Sequence, residues 1–159
     1  MSKWFLLAFL IGFGCSSGKK IRTDKLANEA SLRSDLVREA SQYLGSKYRY
    51  GGSDQRGFDC SGLVFEVFKS HGILLPRSSH QQSTYGRMTS VEKVRVGDLI
   101  FFKQKGKVNH VAIVSKTRRD GIWVIHSTTS RGVIQENLRE SRYWSQRIYA
   151  SRDVLTARR

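Results

Sequence analysis

Asp59-Cys60-Ser61-Gly62-Leu63-Val64 sets the only cysteine outside the N-terminal leader directly before a short amphipathic segment. Leu63, Val64, Val67 and Phe68 recur at helical spacing and His71-Gly72 supplies a C-terminal stop, so the pattern predicts a helix from near Ser61 with Cys60 at its start. Unpaired backbone N–H groups and the positive end of the helix dipole favour negative charge there, which predicts a thiol pKa below its free value of roughly 8.5. The thiolate is the nucleophilic form. A small buried residue with no chemistry is the plain alternative for Cys60.

Outward from this helix the chain changes texture once. Upstream, Leu26, Ala30, Leu36, Val37, Ala40, Tyr43 and Leu44 trace an amphipathic helix over about Asp24 to Leu44, stopped by Gly45. Between the two helices, Tyr48 to Asp59 reads as a glycine-rich loop. Downstream, Pro76 ends a short apolar run, and Ser79 to Tyr85 forms a further short helix before Gly86. From Val96 onward, β-branched and aromatic clusters alternate with turn residues. They predict strands over Leu99 to Phe102, Val111 to Val114, Ile122 to Ile125, Val133-Ile134 and Ile148-Tyr149. Helices first and strands afterwards imply an α+β domain with an antiparallel sheet, occupying residues 24–159 as a single unit.

Lys3, the apolar run Trp4 to Phe13 and the small residues before Cys15 follow the order of a secretory signal, and the run is too short for an ordinary membrane span. Cys15 at its end resembles the lipid-attachment cysteine of bacterial lipoproteins, with residues 16–23 as a polar tether. A Cys15–Cys60 disulfide is the competing use of the two cysteines, and it would consume the nucleophile. The formal net charge is +15. In an exported protein this favours anionic wall polymers or lipid over nucleic acid, which is not expected as a partner. The expected location is the cell envelope, lipid-anchored in the outer membrane and facing the periplasm. Protein partners cannot be read from the residues.

Two of the four histidines, His110 and His126, fall in the strand region. If their strands form a hairpin centred on residue 118, Val114 opposes Ile122, Ala112 opposes Val124, and His110 faces His126 across the ladder. A tight turn at Asp120-Gly121 would instead turn His126 to the other face. A nucleophile, a base and a group that orients the base are the parts an activated thiol needs. Zinc held by Cys60, His110 and His126 is the rival use, but there is neither a close ligand pair nor an obvious fourth ligand, so no cofactor is expected. His71 and His80 read as structural or subsite residues, the first as a helix cap.

Five motifs follow one another in order: Tyr48-Arg49-Tyr50-Gly51-Gly52, Gly57-Phe58-Asp59-Cys60-Ser61-Gly62-Leu63-Val64, Leu75-Pro76-Arg77-Ser78, Val96-Gly97-Asp98-Leu99-Ile100-Phe101-Phe102 and His110-Val111-Ala112-Ile113-Val114. Together with Ile125-His126-Ser127 and the stretch on to Tyr143-Trp144, they resemble the NlpC family of papain-like cell-wall cysteine peptidases, and within it the MepS-type lipoproteins. The resemblance implies a papain-like fold in which N-terminal helices, one carrying the nucleophile, pack on the sheet. It makes Cys60 the nucleophile, His110 the base and His126 the orienting residue, and it implies peptidoglycan stem peptides as substrate. It further assigns substrate contacts to Tyr48, to Asp59 and Ser61 as recognising a free amine or polar groups, and to Arg77, Ser78 and Gln82 as a neighbouring subsite. Two bonds are implied, the cross-link between D-Ala and meso-diaminopimelate and the γ-D-Glu to diaminopimelate bond within one stem. A non-catalytic wall-binding lipoprotein is a further alternative.

Overall fold

The computed structural model describes residues 17–156 of the chain. The leader, Cys15 and the last two arginines therefore lie outside the described residues. Helix α1, Ser17–Gln42, begins earlier than the expected start near Asp24. A two-residue hairpin follows, β1 (Ser53–Asp54) and β2 (Gly57–Phe58), within the stretch expected to be irregular. Helix α2, Cys60–Ser70, carries the nucleophile candidate, and α3 is the single turn Ser79–Gln82. Strand β3 (Arg87–Thr89) and a 3-10 turn lead into β4 (Leu99–Gln104), β5 (Lys107–Arg118), β6 (Gly121–Thr128) and β7 (Gly132–Asn137). The turn α4, Arg142–Ser145, precedes the last strand, β8 (Ile148–Asp153).

Strands β3 to β8 form one antiparallel sheet in the order β3-β8-β4-β5-β6-β7, with the β1–β2 hairpin apart. Alternation sends Leu99, Phe101, Val111, Ile113, Ile125 and Val133 to one face, where they meet Leu36 and Ala40 of α1 and Leu63, Val64, Val67 and Phe68 of α2. All of these are essentially inaccessible to solvent, and full burial of each large apolar side chain stabilises by roughly 1.5–3 kcal/mol. Ile100, Phe102, Ala112, Val114 and Val124 go to the other face, under Leu138 and Trp144. The result is an α+β architecture with two helices on one side of an antiparallel sheet.

Two bulges set what the sheet presents. At the first, Phe102 pairs with His110 but Lys103 pairs with Val108, leaving Asn109 as the extra residue of β5. At the second, Val114 pairs with Val124 but Lys116 pairs with Trp123, leaving Ser115 extra. The β5–β6 turn is tight, with Arg118 opposite Gly121. Gly121 has φ +145° and packs against the Asn137 side chain, a place no larger residue could take. The expected register is therefore corrected. Val114 opposes Val124 rather than Ile122, because the turn is shorter than supposed and the Ser115 bulge restores the parity it disturbs. His110 and His126 remain on one face, as diagonal rather than directly opposed neighbours.

Candidate active site

Cys60 is the first residue of α2, and Asp59 before it caps the helix with extended backbone, φ −86° and ψ 174°. The Asp59 carboxylate accepts from Gly62 N at 2.6 Å, from Gly51 N at 2.9 Å and from Ser61 Oγ at 3.1 Å. Arg77 then closes on it in a fork, both guanidinium nitrogens at 2.9 Å. Gly62 allows this packing. A Cβ there would run into the Gly52 carbonyl and the Arg77 guanidinium.

The Cys60 thiol is free and buried, with Sγ 3.8 Å from the carbonyl oxygen of bulged Asn109. Burial pushes its pKa up to about 11, and the Asp59 charge adds to this. Backbone N–H groups of Val111, Ser61 and Cys60 itself aim at the sulfur and pull the other way without prevailing. The expectation of a depressed thiol pKa is thus reversed, because desolvation outweighs the helix terminus. His110 is pushed in the complementary direction, well below its ordinary value, by burial and then by the neighbouring His126. Both shifts favour the neutral form, of the thiol and of this imidazole.

His110 and His126 meet through Nε2 and Nδ1 at 2.8 Å, and His126 Nε2 lies 2.7 Å from Glu136 Oε1. Arg131 reaches the same carboxylate oxygen at 3.0 Å. Burial works against the Glu136 charge, yet the hydrogen bond and charge of His126 together with Arg131 hold its carboxyl below the usual range. Trp144 lies flat on His110, ring centroids 4.2 Å apart at 21°, and touches His126 with its edge.

Cys60 and His110 open into one cleft of about 510 Å³ shared with Tyr48, Phe102, Ser127 and Trp144. Thr128 to Arg131, Tyr143 and Arg147 also line it. Tyr48 is half-buried, and burial, then the proximity of Cys60 and Asp59, raises its pKa. Of the residues assigned to substrate contact, Tyr48 alone lines this cleft. Asp59, Ser61 and Arg77 are engaged with one another behind it. Ser78 caps α3 by accepting from Gln81 N, and fully buried Gln82 donates to the Ser61 and Pro76 carbonyls. His71 caps α2, its Nδ1 3.0 Å from the Val67 carbonyl and 3.2 Å from Glu39. His80 lines a separate pocket, with Lys103, Lys107 and Tyr149. Among the described residues no group of three or more His, Cys, Asp or Glu is placed to hold a metal ion. Glu136 was absent from the sequence reading. The signal it offered was positional, since a carboxylate on β7 falls diagonal to His126 once the β6–β7 hairpin is drawn.

The model of the NlpC/P60 family matches residues 45–153. The chain belongs to the NlpC/P60 family. Among its NlpC/P60 relatives is the murein DD-endopeptidase MepS/murein LD-carboxypeptidase of Escherichia coli, 33% identical over 134 residues, covering 84% of this chain and 69% of that protein. Another is the gamma-DL-glutamyl hydrolase of Bacillus subtilis, 36% identical over 154 residues. That match covers 96% of this chain but 36% of the relative, so the chain spans about a third of that protein's length. An NlpC/P60 family protein from Bacillus cereus has a crystal structure that superposes with a TM-score of 0.72 at 36% identity, covering 77% of this chain and 40% of that one. The antiparallel sheet with its cysteine-bearing helix is thus the papain-like domain of this cysteine peptidase family, whose relatives are named hydrolases and peptidases.

Proposed function

We propose that this NlpC/P60 protein is a murein endopeptidase that cuts the cross-link between D-Ala and meso-diaminopimelate through a Cys60 acyl-enzyme. The observation that carries the chemistry is the shared cleft in which a buried thiol lies with an imidazole that is bonded to His126 at 2.8 Å and stacked on Trp144. His110 takes the thiol proton as sulfur attacks the peptide carbonyl, and returns it to the departing amine. Water then hydrolyses the thioester by the same route reversed. His126 holds the His110 ring. Backbone N–H groups at the start of α2 receive the developing oxyanion, each such donor being worth roughly 2.7–4 kcal/mol in a comparable protease site. Tyr48 lines the same cleft. No metal or cofactor takes part in these steps.

The choice of bond rests on Asp59. A substrate recognised by its free α-amine needs an unpaired carboxylate, and the Asp59 oxygens are occupied by two backbone N–H groups, a hydroxyl and the Arg77 fork. This favours stems that remain attached at their amino end, and the name of the E. coli relative, a DD-endopeptidase, favours the cross-link. The second reading is cleavage of the γ-D-Glu to diaminopimelate bond, and the name of the B. subtilis relative, a γ-glutamyl hydrolase, supports it as far as the γ-glutamyl linkage. Digesting defined cross-linked dimers and uncross-linked monomers and weighing the products separates the two. Dimer converted to monomers supports the first, and shortened monomers support the second. A Cys60→Ala protein that cuts as well as the parent would instead leave a wall-binding role.

The leader and Cys15 support an envelope lipoprotein, anchored by an acylated Cys15 in the outer membrane and facing the periplasm, with residues 24–159 as its peptidase domain. Cys15→Ser should move the protein from the membrane fraction to the soluble one. Retention in the membrane would contradict the anchor.

A further inference from the structure

We propose that Glu136, itself held by Arg131, is a positioning residue that fixes the direction of the His126–His110 hydrogen bond and steadies the positive charge this pair acquires when Cys60 gives up its proton. The inference rests on the reading of Cys60 as nucleophile and adds a fourth member to the site.

His126 is fully buried and both of its ring nitrogens are engaged, Nδ1 with His110 Nε2 at 2.8 Å and Nε2 with Glu136 Oε1 at 2.7 Å. A carboxylate can only accept, so His126 Nε2 carries a hydrogen, and in the neutral ring Nδ1 then holds a lone pair. His110 Nε2–H must then donate to that lone pair, which leaves His110 Nδ1 as the basic nitrogen of the pair. A hydroxyl in place of Glu136 would satisfy the opposite arrangement equally well. His126 Nδ1–H would donate to His110 Nε2, and His110 Nδ1 would carry a hydrogen and accept nothing. The carboxylate therefore decides which end of the imidazole chain is the base.

Charge acts in the same direction. Proton transfer breaks the Cys60 S–H bond, forms an N–H bond at His110 Nδ1, and leaves a negative sulfur beside a positive imidazole pair. The groups facing this pair are Cys60 from α2, Glu136 from β7 and Arg131 from the β6–β7 turn. Arg147, which also lines the cleft, spends its guanidinium on the Tyr143 carbonyl and ring. No acidic residue lines the cleft itself among the described residues, so Glu136 is the anion that offsets the imidazolium. Arg131, bound to the same oxygen, moderates it.

The test is the rate at which iodoacetamide alkylates Cys60 in the full-length protein between about pH 5 and 9, followed on the Cys60 peptide by mass spectrometry. An opposite charge at this range shifts an ionisation by about one unit or more, so Glu136→Gln should slow alkylation near neutral pH by about tenfold. Arg131→Gln, which removes a cation from the same carboxylate, should speed it a few-fold. Opposite signs cannot arise from general loosening of the site. An unchanged rate in Glu136→Gln, or a fall in both variants, would overturn the proposal. Because alkylation needs no substrate, the result stands whether or not muropeptides are cut. Failure of the unaltered protein to cut them would count against the proposed function instead.

Discussion

Two buried polar networks cross this sheet, one at the β8 side and one between β5 and β7, and they are made of different groups. In the first, Arg33 of α1 reaches Asp98 ahead of β4 at 2.7 Å and Asp153 at the end of β8 at 2.9 Å. Arg95 and Arg87 add to Asp153 at 2.6 and 3.0 Å, and Thr156 donates to it as well. Burial works against the Asp153 charge, but these partners hold its carboxyl far below the usual range, while burial leaves Asp98 raised. Fixed charges fill this network, and each charge it holds meets another. The second, His110–His126–Glu136–Arg131, is built on imidazoles, and it opens at one end onto a cleft beside a thiol. A network that closes on itself ties a helix to a sheet, whereas one with an open, titratable end is available for proton transfer.

Substitutions should separate the two by what they damage. His110→Ala should lower kcat/KM by about 10⁴-fold while moving the thermal midpoint little, and a large loss of both would merge the networks. Arg33→Met leaves buried Asp98 without a charged partner and takes one of three from Asp153, and should cost about 3–5 kcal/mol, a fall in Tm of roughly 6–20 °C, with the activity of the folded fraction kept. Trp144→Ala removes the face on which His110 rests and on which its imidazolium would be steadied. It should reduce kcat by about tenfold with stability within about 2 kcal/mol, read by paired kinetics and denaturant titration. The pH responses are smaller and also differ. His110 is lowered below its ordinary value of about 6.5, so the base stays unprotonated as pH falls through that value. The acidic limb of kcat/KM should accordingly lie below pH 6.5, and a midpoint at or above it would contradict the burial of this ring. Asp153, depressed in the folded state, contributes stability that is complete above its unfolded pKa of about 3.9 and is lost as pH falls below that. Asp153→Asn should flatten the acid side of the stability curve and leave the activity profile in place.

Much of this contrast was legible in the residues, unevenly. The α2 helix followed from four apolar positions and a stop, and five strands followed from their β-branched clusters. The short elements β1, β2, β3 and α4 did not, because two to four residues carry no periodicity and are fixed by tertiary pairing. That His110 and His126 share a face was reachable from alternation. Their offset was not, since a bulge at Ser115 leaves no mark in a pattern of alternating residues. The thiol pKa was misjudged for a related reason. A helix terminus is visible in sequence, but the depth at which β5 buries the sulfur is a property of the assembled sheet. Glu136 and the Asp59–Arg77 fork were invisible for want of a register and of a fold that joins residues 18 positions apart.

The most direct test mixes the protein with a defined cross-linked muropeptide, quenches in acid within the first turnover and weighs the protein and its Cys60 peptide. Attack by this sulfur predicts a thioester carrying the donor stem on Cys60, which decays as products accumulate and is absent from Cys60→Ala. Products formed with no adduct on Cys60, or formed equally by Cys60→Ala, would contradict the account.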